Sequence, residues 1–337
     1  MPPALVSVII PAYNAAAFLA ATLRSVLAQD YPYFEVWIID DGSTDRTWEI
    51  ATEFAQQDAR IKVLTQANAG VAAARNLGID RSIGEFIAPL DADDLWEVAT
   101  LRKYIHGFEI ASERVGVLYT WSIDVDEKNR PTGGFHAAKI SGRVLGTLLV
   151  HNFLGNASAT MIRRSALLST GGYDRTLRDR NAQGCEDWDL YFKLAERLEF
   201  GVVPEFLVRY RKPIHSMSQD DGQMARSHEL VLTGLYDRTG QRFPRWMYAL
   251  SRSSLYIHFA HQAAQFGRDQ QAKNWCRAAL KADRFTPLLR PGWYRLRFGR
   301  SEIREKPKLS GQLPDRLTIG LKIWVSGILH FCLGPWQ

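Results

Sequence analysis

The sequence has few cysteines and no cysteine pair with the spacing of a metal site. Its 337 residues contain three cysteines, Cys185, Cys276 and Cys332, which are far apart in the chain. Metal-binding cysteines are usually closely paired, as in Cys-x-x-Cys, so these three do not form such a motif. Met1 to Leu5 has no basic region ahead of a hydrophobic one, so we expect no signal peptide and a reducing, cytoplasmic location.

Nucleic-acid motifs, internal repeats and low-complexity tracts are also missing, although the chain is basic, with a net charge of +6 and a pI near 9.2. The basic residues concentrate in one late stretch that runs from Arg290 to Lys308. Without a nucleic-acid motif, this stretch predicts contact with an anionic membrane surface or a lipid diphosphate rather than with nucleic acid. The apolar segment Leu317–Trp336 approaches the length of a membrane span but contains Lys322 and His330. We expect peripheral membrane contact here; the alternative is an amphipathic helix that packs on the domain.

The rest of the composition suits an α/β protein. Hydrophobic residues make up 46% of the chain, enough for a full core and a smaller appendage. Strand and helix patterns alternate up to about residue 81, and the pattern becomes helical from about 221 to 283. Between them, residues 124–136 contain a proline and two glycines and predict a turn or a mobile loop.

Three carboxylates follow one short apolar run. Phe86 to Leu90 reads as a buried strand and leads directly into Asp91, Asp93 and Asp94. Acidic groups at one strand end repel one another unless a cation lies opposite, and Mg²⁺ or Mn²⁺ is held by one or two such carboxylates together with substrate phosphates. The alternative is a helix start near Leu95 capped by one of the acids.

Two earlier strands also end in polar residues. Val6–Ile10 is followed by Pro11, Ala12, Tyr13 and Asn14, and Phe34–Ile39 is followed by Asp40 and Asp41. In open α/β sheets, ligands bind at the carboxyl ends of the strands. Ser43 or Thr44 is expected to cap the next helix, which leaves the two aspartates for another purpose.

Together these segments resemble glycosyltransferase family 2. The resemblance is carried by the four segments Val6–Asn14, Ile38–Asp45, Asn68–Gly78 and Leu90–Asp94, and later residues extend it to about 218. It implies a GT-A fold, that is, a Rossmann-like, mixed, mostly parallel sheet flanked by helices. It also implies a nucleotide-diphospho-sugar donor, a divalent metal and inversion at the anomeric carbon. We therefore predict a GT-A catalytic domain over residues 1–220 and a helical C-terminal extension over residues 221–337.

A second acidic group, Glu186-Asp187, opens an apolar helix. An acid in the first turn of a helix has an ordinary explanation, because it offsets unpaired N–H groups. Glycosyl transfer also needs a base that reaches the acceptor hydroxyl, and a carboxylate at a helix start can serve. The pair resembles the second acidic motif of the family, in which the aspartate is the base, so Asp187 is the predicted catalytic base and Glu186 its catalytic neighbour.

The resemblance also implies roles for the other residues. Asp93 is the expected metal ligand, and Asp91 contacts ribose, sugar or the metal and its water, with Asp94 behind them. Asp41 would accept a hydrogen bond from a pyrimidine base. The remaining donor-binding residues are those expected to enclose the base, Pro11, Ala12 and Tyr13, and those expected near ribose or diphosphate, Arg75 and His215.

The alternative to nucleobase contact is that Tyr13 is an ordinary core tyrosine. The alternative for Arg75 is that it lies on a solvated helix face and binds no ligand. His215 lies among Arg211, Lys212 and serines, a mixture that suits phosphate or metal, but its spacing departs from the usual family pattern. Asn156 and Ser158 face either the acceptor or a turn.

The leading prediction is a metal-dependent, inverting glycosyltransferase that uses Mn²⁺ or Mg²⁺ and a UDP- or dTDP-sugar. Its acceptor is expected to be a glycan or lipid-linked hydroxyl in cell-surface polysaccharide synthesis, reached from the cytoplasmic face of the membrane. One alternative is a sugar-1-phosphate nucleotidyltransferase, although the loop after the first strand lacks the glycines and lysine that grip a triphosphate. The other is a non-catalytic nucleotide-sugar-binding protein, which a missing carboxylate would have favoured.

Overall fold

The computed structural model describes residues 3–213 and 220–285, together with the single residues 287 and 318. The predictions for His215 and for the basic stretch from Arg290 to Lys308 lie outside the described residues, as does the apolar C-terminal segment apart from Thr318.

Strands and helices alternate along the first half of the described chain. The strands are β1 (Val6–Ala12), β2 (Phe34–Asp40), β3 (Ile61–Thr65), β4 (Phe86–Pro89), β5 (Leu95–Trp96), β6 (Val115–Val125), β7 (Pro131–His136), β8 (Thr160–Arg163) and β9 (Glu199–Arg211). The helices up to the last strand are α1 (Leu19–Leu27), α2 (Thr47–Gln57), α3 (Val71–Arg81), α4 (Thr100–Ile110), α5 (Leu145–Val150), α6 (Arg164–Leu168), α7 (Thr176–Asp179) and α8 (Glu186–Ala195). Three more helices follow up to residue 282: α9 (Asp221–Thr239), α10 (Arg245–Gln265) and α11 (Asp269–Ala282).

The strands form one nine-stranded mixed sheet with the order β3-β2-β1-β4-β8-β6-β9-β5, and β7 pairs with β6. Strand β1 lies parallel to both β2 and β4, with Ala12 opposite Asp40 and Ile9 opposite Pro89. The carboxyl ends of these three strands therefore lie at the same edge of the sheet. This edge is the place where open α/β sheets bind ligands.

Alternate residues of the central strands belong to two large apolar clusters. Ile9 and Ile87 pack in one cluster, whereas Val8, Ile10 and Ala88 pack in the other. Because successive side chains of a strand point to opposite faces, each cluster covers one face of the sheet. The predicted α/β architecture, a mixed sheet flanked by helices, is confirmed.

Two local predictions are wrong. Residues 131–136 form strand β7, which pairs with β6 in a hairpin, so the expected mobile loop is limited to the turn before it. Neither Ser43 nor Thr44 caps α2; instead Asp45 accepts hydrogen bonds from the backbone N–H and the hydroxyl of Thr47, the first residue of that helix. Short polar residues compete for such positions, and sequence pattern alone does not rank them.

The predicted helical extension begins with α9, and its helices α9 and α10 pack on the rest of the described chain. Val231, Leu232 and Leu235 of α9 and Met247 of α10 belong to the same buried cluster as Ile9 of β1. These two helices therefore share a hydrophobic core with the sheet. Within the described residues, no helix is both long enough and apolar enough to span a bilayer.

Candidate active site

The loop after β2 is held by Asp41. Its Oδ1 accepts hydrogen bonds from the side-chain amide of Gln66 (2.7 Å) and from the backbone N–H of Ala69 (2.8 Å). Its Oδ2 accepts one from the N–H of Gly70 (2.8 Å). Gly70 has a φ of +89° and directly precedes α3, so Asp41 fixes the start of the helix that carries Arg75. The predicted hydrogen bond from Asp41 to a nucleobase stays a prediction, for which one lone pair of Oδ2 remains.

Tyr13 lies at the surface beside this loop. Pro11 and Ala12 are buried at the end of β1, whereas 53% of the Tyr13 side chain is exposed. A core position for Tyr13 is therefore wrong. An exposed ring at the carboxyl edge of the sheet is available to stack on a planar ligand.

The three aspartates after β4 have different environments. Asp94 is fully buried; its Oδ2 accepts a hydrogen bond from Ser158 Oγ (2.5 Å) and its Oδ1 accepts one from the backbone N–H of Arg211 (2.8 Å). It caps no helix, because strand β5 begins at Leu95. Asp94 therefore ties β4 to β9, as expected of a residue behind the site. Burial, with Asp93 and Asp91 nearby, raises its pKa well above the usual range.

Asp93 is the least constrained of the three. Its carboxylate accepts no hydrogen bond from the side chain or backbone of any other described residue, while its backbone carbonyl accepts one from Arg211 Nε (2.7 Å). Burial and the nearby Asp91 raise the pKa of Asp93 to about 7. A carboxylate in this state gains most from a cation bound beside it.

Arg75 joins the two acidic motifs. It is 3% exposed, its Nη2 donates to Asp91 Oδ1 (2.5 Å), and its Nη1 donates to Asp187 Oδ1. Its guanidinium carbon lies 5.1 Å from the centre of the Tyr173 ring. The alternative of a solvated helix face is wrong, and the predicted contact with diphosphate or ribose stays a prediction.

Helix α8 begins at Glu186, and its first two acids have different functions in the structure. Glu186 is 4% exposed and its Oε2 accepts the backbone N–H of Gly184 (2.8 Å), so this acid satisfies a donor just before the helix. No side chain caps the helix from Cys185, and Asp187 bonds to Arg75 instead. The interpretation of Asp187 as a helix cap is wrong.

The pKa of Asp187 is set by opposing effects. Burial raises it, the Arg75 guanidinium lowers it, and the nearby Asp91 and Glu186 raise it again, to about 6. Burial also raises the pKa of Glu186. A carboxylate with a pKa near 6 is mostly ionised at neutral pH and is more basic than an ordinary aspartate, as a general base requires.

The carboxylates after β4 fit a divalent cation of the kind that keeps water and phosphate ligands. Asp91 Oδ2 and both carboxylate oxygens of Asp93 receive no hydrogen bonds from other described residues. Each carboxylate oxygen of Asp94, in contrast, accepts a hydrogen bond. Among the described residues, no three His, Cys, Asp or Glu side chains are grouped to hold a metal. Two carboxylates suffice for Mg²⁺ or Mn²⁺ when substrate phosphates complete the shell.

Several contacts of this region could not be read from the sequence. Arg211 binds the backbone of Asp93 and the carboxylate of Asp94, and Tyr173 packs on Arg75. His228 and Ser251 of the helical extension line a cavity that also reaches Asp91 and Asp187. Ser158 is fully buried and donates to Asp94, so it does not face an acceptor, whereas Asn156 lines the cavity.

The sequence of the chain is similar to that of known proteins. Residues 7–169 match the sequence profile of Glycosyl transferase family 2. The N-terminal half of the chain belongs to this family. The family match covers β1 to α6, including Asp41, Arg75 and the carboxylates after β4, but it ends before Asp187.

Individual relatives match parts of the chain. A putative teichuronic acid biosynthesis glycosyltransferase of Bacillus subtilis, TuaG, is 43% identical over 102 residues, which cover 30% of this chain and 40% of TuaG. An uncharacterized glycosyltransferase of Rickettsia conorii is 32% identical over 206 residues, 61% of this chain and 32% of the relative. The chain thus spans less than half the length of these relatives.

Solved structures extend the likeness beyond the family profile. The crystal structure of Staphylococcus aureus TarS 1–349 in complex with UDP-GlcNAc has a TM-score of 0.60 at 19% identity. The match covers 88% of this chain and 88% of that TarS chain. The mannosyltransferase PcManGT of Pyrobaculum calidifontis, in complex with GDP-Man and Mn²⁺, has a TM-score of 0.52 at 18% identity, covering 98% of this chain and 87% of PcManGT. These similarities confirm the predicted GT-A fold, and they include the helical extension.

Proposed function

We propose that this family 2 glycosyltransferase moves a sugar from a nucleotide-diphospho-sugar to an acceptor hydroxyl, with inversion at the anomeric carbon. The donor is a UDP- or dTDP-sugar, held at the carboxyl edge of β1, β2 and β4. Asp187 is the general base, and Asp93 and Asp91 hold a divalent metal.

The observation that carries the proposal is the Asp91–Arg75–Asp187 bridge. Arg75 hydrogen-bonds to both carboxylates, so the predicted base and the predicted metal-binding strand end lie at one site although they are nearly one hundred residues apart in sequence. A transferase needs this proximity, because the attacking hydroxyl and the leaving phosphate meet at the same anomeric carbon.

The chain's own residues support the base chemistry. The pKa of about 6 keeps Asp187 ionised at neutral pH and ready to accept the proton of the acceptor hydroxyl. Arg75 holds one carboxylate oxygen of Asp187 and leaves Oδ2 without a hydrogen bond from described residues. That oxygen is the one we assign to proton transfer.

Asp93 would hold the metal directly, with Asp91 beside it. When bound, a divalent cation neutralises charge on the diphosphate as it leaves. Asp94, fixed by Ser158 and by the backbone of Arg211, keeps the strand end in place. Tyr13, exposed at the same edge, is assigned to the nucleobase together with Pro11 and Ala12.

The acceptor is proposed to be a glycan or lipid-linked hydroxyl in cell-surface polysaccharide synthesis. The likeness to TuaG, a putative teichuronic acid biosynthesis glycosyltransferase, supports this pathway, and the basic stretch of the sequence supports activity at the cytoplasmic face of a membrane.

A thermal-shift panel of UDP, dTDP, GDP, CDP and ADP, each with and without Mn²⁺, tests the donor and the metal together. A ligand that binds only the folded state raises the melting temperature by mass action. We expect UDP or dTDP to give the largest rise, and only with Mn²⁺. A rise with GDP alone would contradict the pyrimidine assignment, and no rise with any nucleotide would contradict the proposed function. Binding of a nucleotide-sugar without transfer to any acceptor would favour a non-catalytic binding protein.

A further inference from the structure

A cavity of about 330 Å³ opens beside the catalytic carboxylates. Asp91 and Asp187 form part of its wall, and the loop that contains Asn156 forms another part. A further part comes from the helical extension, through His228 on α9 and Ser251 on α10. Its volume lies at the small end of ligand pockets, roughly 300–1,000 Å³, which suits one sugar ring better than a longer chain.

The described lining residues of this cavity include two carboxylates, Asp91 and Asp187, and no lysine or arginine. A phosphate or carboxylate in the cavity would find no unpaired cation in the described wall, because the guanidinium of Arg75 already pairs with both carboxylates. The polar groups that remain are amides, hydroxyls and imidazoles, which are partners for hydroxyl groups. The charge of the wall therefore favours an uncharged, hydroxyl-rich occupant.

His228 is the most distinctive residue in this wall. It is 5% exposed, and its ring stacks on Trp188 with ring centres 4.6 Å apart and planes at 16°. Its Nε2 lies 3.3 Å from Ser251 Oγ, and its Nδ1 has no hydrogen-bond partner among the described residues. A buried nitrogen without a partner costs free energy, and a hydroxyl that reached it from the cavity would recover that cost.

The imidazole is uncharged. Burial, with Arg252 nearby, lowers the pKa of His228 to about 3, so the ring stays neutral throughout the physiological range. A neutral imidazole has one donor and one acceptor nitrogen, and it can bind a hydroxyl in either direction without attracting an anion. Trp188 directly follows Asp187 in α8, so His228 stacks on the residue next to the proposed base.

We propose that this cavity binds the acceptor as an uncharged sugar ring, with His228 and Ser251 as specificity-determining residues for its hydroxyl groups. The proposal rests on the proposed function and makes the helical extension part of acceptor recognition. On this proposal a neutral sugar occupies the cavity, and the diphosphate of a lipid-linked acceptor would lie outside it.

The first test compares ligand classes on the full chain with UDP and Mn²⁺ present. Uncharged octyl β-glycosides of glucose, galactose and N-acetylglucosamine are titrated beside the 6-phosphates of the same sugars, with binding followed by saturation-transfer NMR. We expect at least one uncharged glycoside to bind and the phosphates to bind more weakly. Tighter binding of the phosphates, or no binding of any uncharged glycoside, would overturn the proposal.

The second test uses the variants His228→Phe and Ser251→Ala in a transfer assay with the best glycoside acceptor. Phenylalanine keeps the stack on Trp188 and removes both nitrogens. Each variant should raise the acceptor KM about 2- to 12-fold, the range for one neutral hydrogen bond, with little change in kcat. Ser253→Ala is the matched control, because Ser253 is fully buried on the same helix, its hydroxyl is unpartnered among the described residues, and it does not line the cavity.

Nucleotide binding distinguishes a failure of the acceptor assignment from a failure of the proposed function. If UDP or dTDP binds with Mn²⁺ but His228→Phe and Ser251→Ala leave the acceptor KM unchanged, the acceptor assignment fails and the proposed function stands. If no nucleotide binds the wild-type chain, the proposed function itself fails. Equal effects of the Ser253→Ala control and of the two cavity variants would also overturn the assignment, since they would indicate general loosening of α10.

Discussion

Replacing Asp187 with asparagine is expected to change activity and stability in opposite directions. Asparagine keeps the size of aspartate and one hydrogen-bond acceptor for Arg75, but it cannot take the proton of the acceptor hydroxyl. A general base contributes roughly 10²- to 10⁴-fold to a rate, so transfer should fall by about that factor. Donor affinity should stay close to normal, because Asp187 is not assigned to the nucleotide.

The stability change follows from the pKa of the carboxyl. Folding raises the pKa of Asp187 from 3.8 to about 6, so the folded state favours the protonated form. The stabilising contribution of the protonated carboxyl to the free energy of unfolding is fully present below pH 3.8 and is lost as the pH rises through about 6. At pH 7 the ionised carboxylate therefore costs up to about 3 kcal/mol of stability. Since 29% of the side chain is accessible to solvent, screening reduces this cost to about 1–2 kcal/mol. Asparagine removes it.

The assay pairs turnover and donor calorimetry with thermal unfolding at pH 7. We expect the melting temperature of Asp187→Asn to rise by about 2–4 °C while transfer collapses. Asp189→Asn is the matched control on the same helix. Asp189 is 4% exposed and pairs with Lys193 (2.6 Å) and Arg238 (3.5 Å), so its loss should lower stability by about 1–2 kcal/mol and leave transfer intact.

Two results would refute this reasoning. Turnover of Asp187→Asn within a few-fold of wild type would show that Asp187 is not the base. A fall of several degrees in its melting temperature would show that the ionised Asp187 stabilises the fold through its contact with Arg75.

Three further predictions concern the metal site, the Arg75 bridge and the C-terminal segment. Asp93→Ala should abolish Mn²⁺-dependent binding of the nucleoside diphosphate without unfolding the chain, because its carboxylate has no partner to lose; unchanged binding in calorimetry would contradict the metal assignment. Arg75→Lys should lower kcat by about 10- to 100-fold, since a single ammonium cannot bridge both carboxylates as the planar guanidinium does, and steady-state rates within a few-fold of wild type would show that the bridge is dispensable. Removing residues 317–337 should move the protein from the membrane fraction to the soluble fraction while nucleotide binding persists; full-length protein that is freely soluble at low salt would contradict membrane contact.

The sequence by itself determined the parts of the site that belong to single elements. The acids after β2 and β4 and at the start of α8 each stand directly after or at the beginning of a recognisable apolar pattern. Because the carboxyl ends of parallel strands meet at one sheet edge, the motifs after β2 and β4 are predicted to lie together from the sequence alone. The hairpin formed by β7 was missed, because proline and glycines locally resemble a loop and only pairing with β6 makes the segment a strand.

Only the tertiary structure decided which side chains meet. Arg75 reads as one residue of an alanine-rich helix, and its bridge between Asp91 and Asp187 depends on how α3, β4 and α8 are packed. Likewise, His228 and Ser251 sit in amphipathic helices whose pattern indicates only a buried face. Periodicity reports the face that one element buries, whereas ion pairs and cavity walls form between faces that are distant in sequence, so chain pattern does not encode them locally.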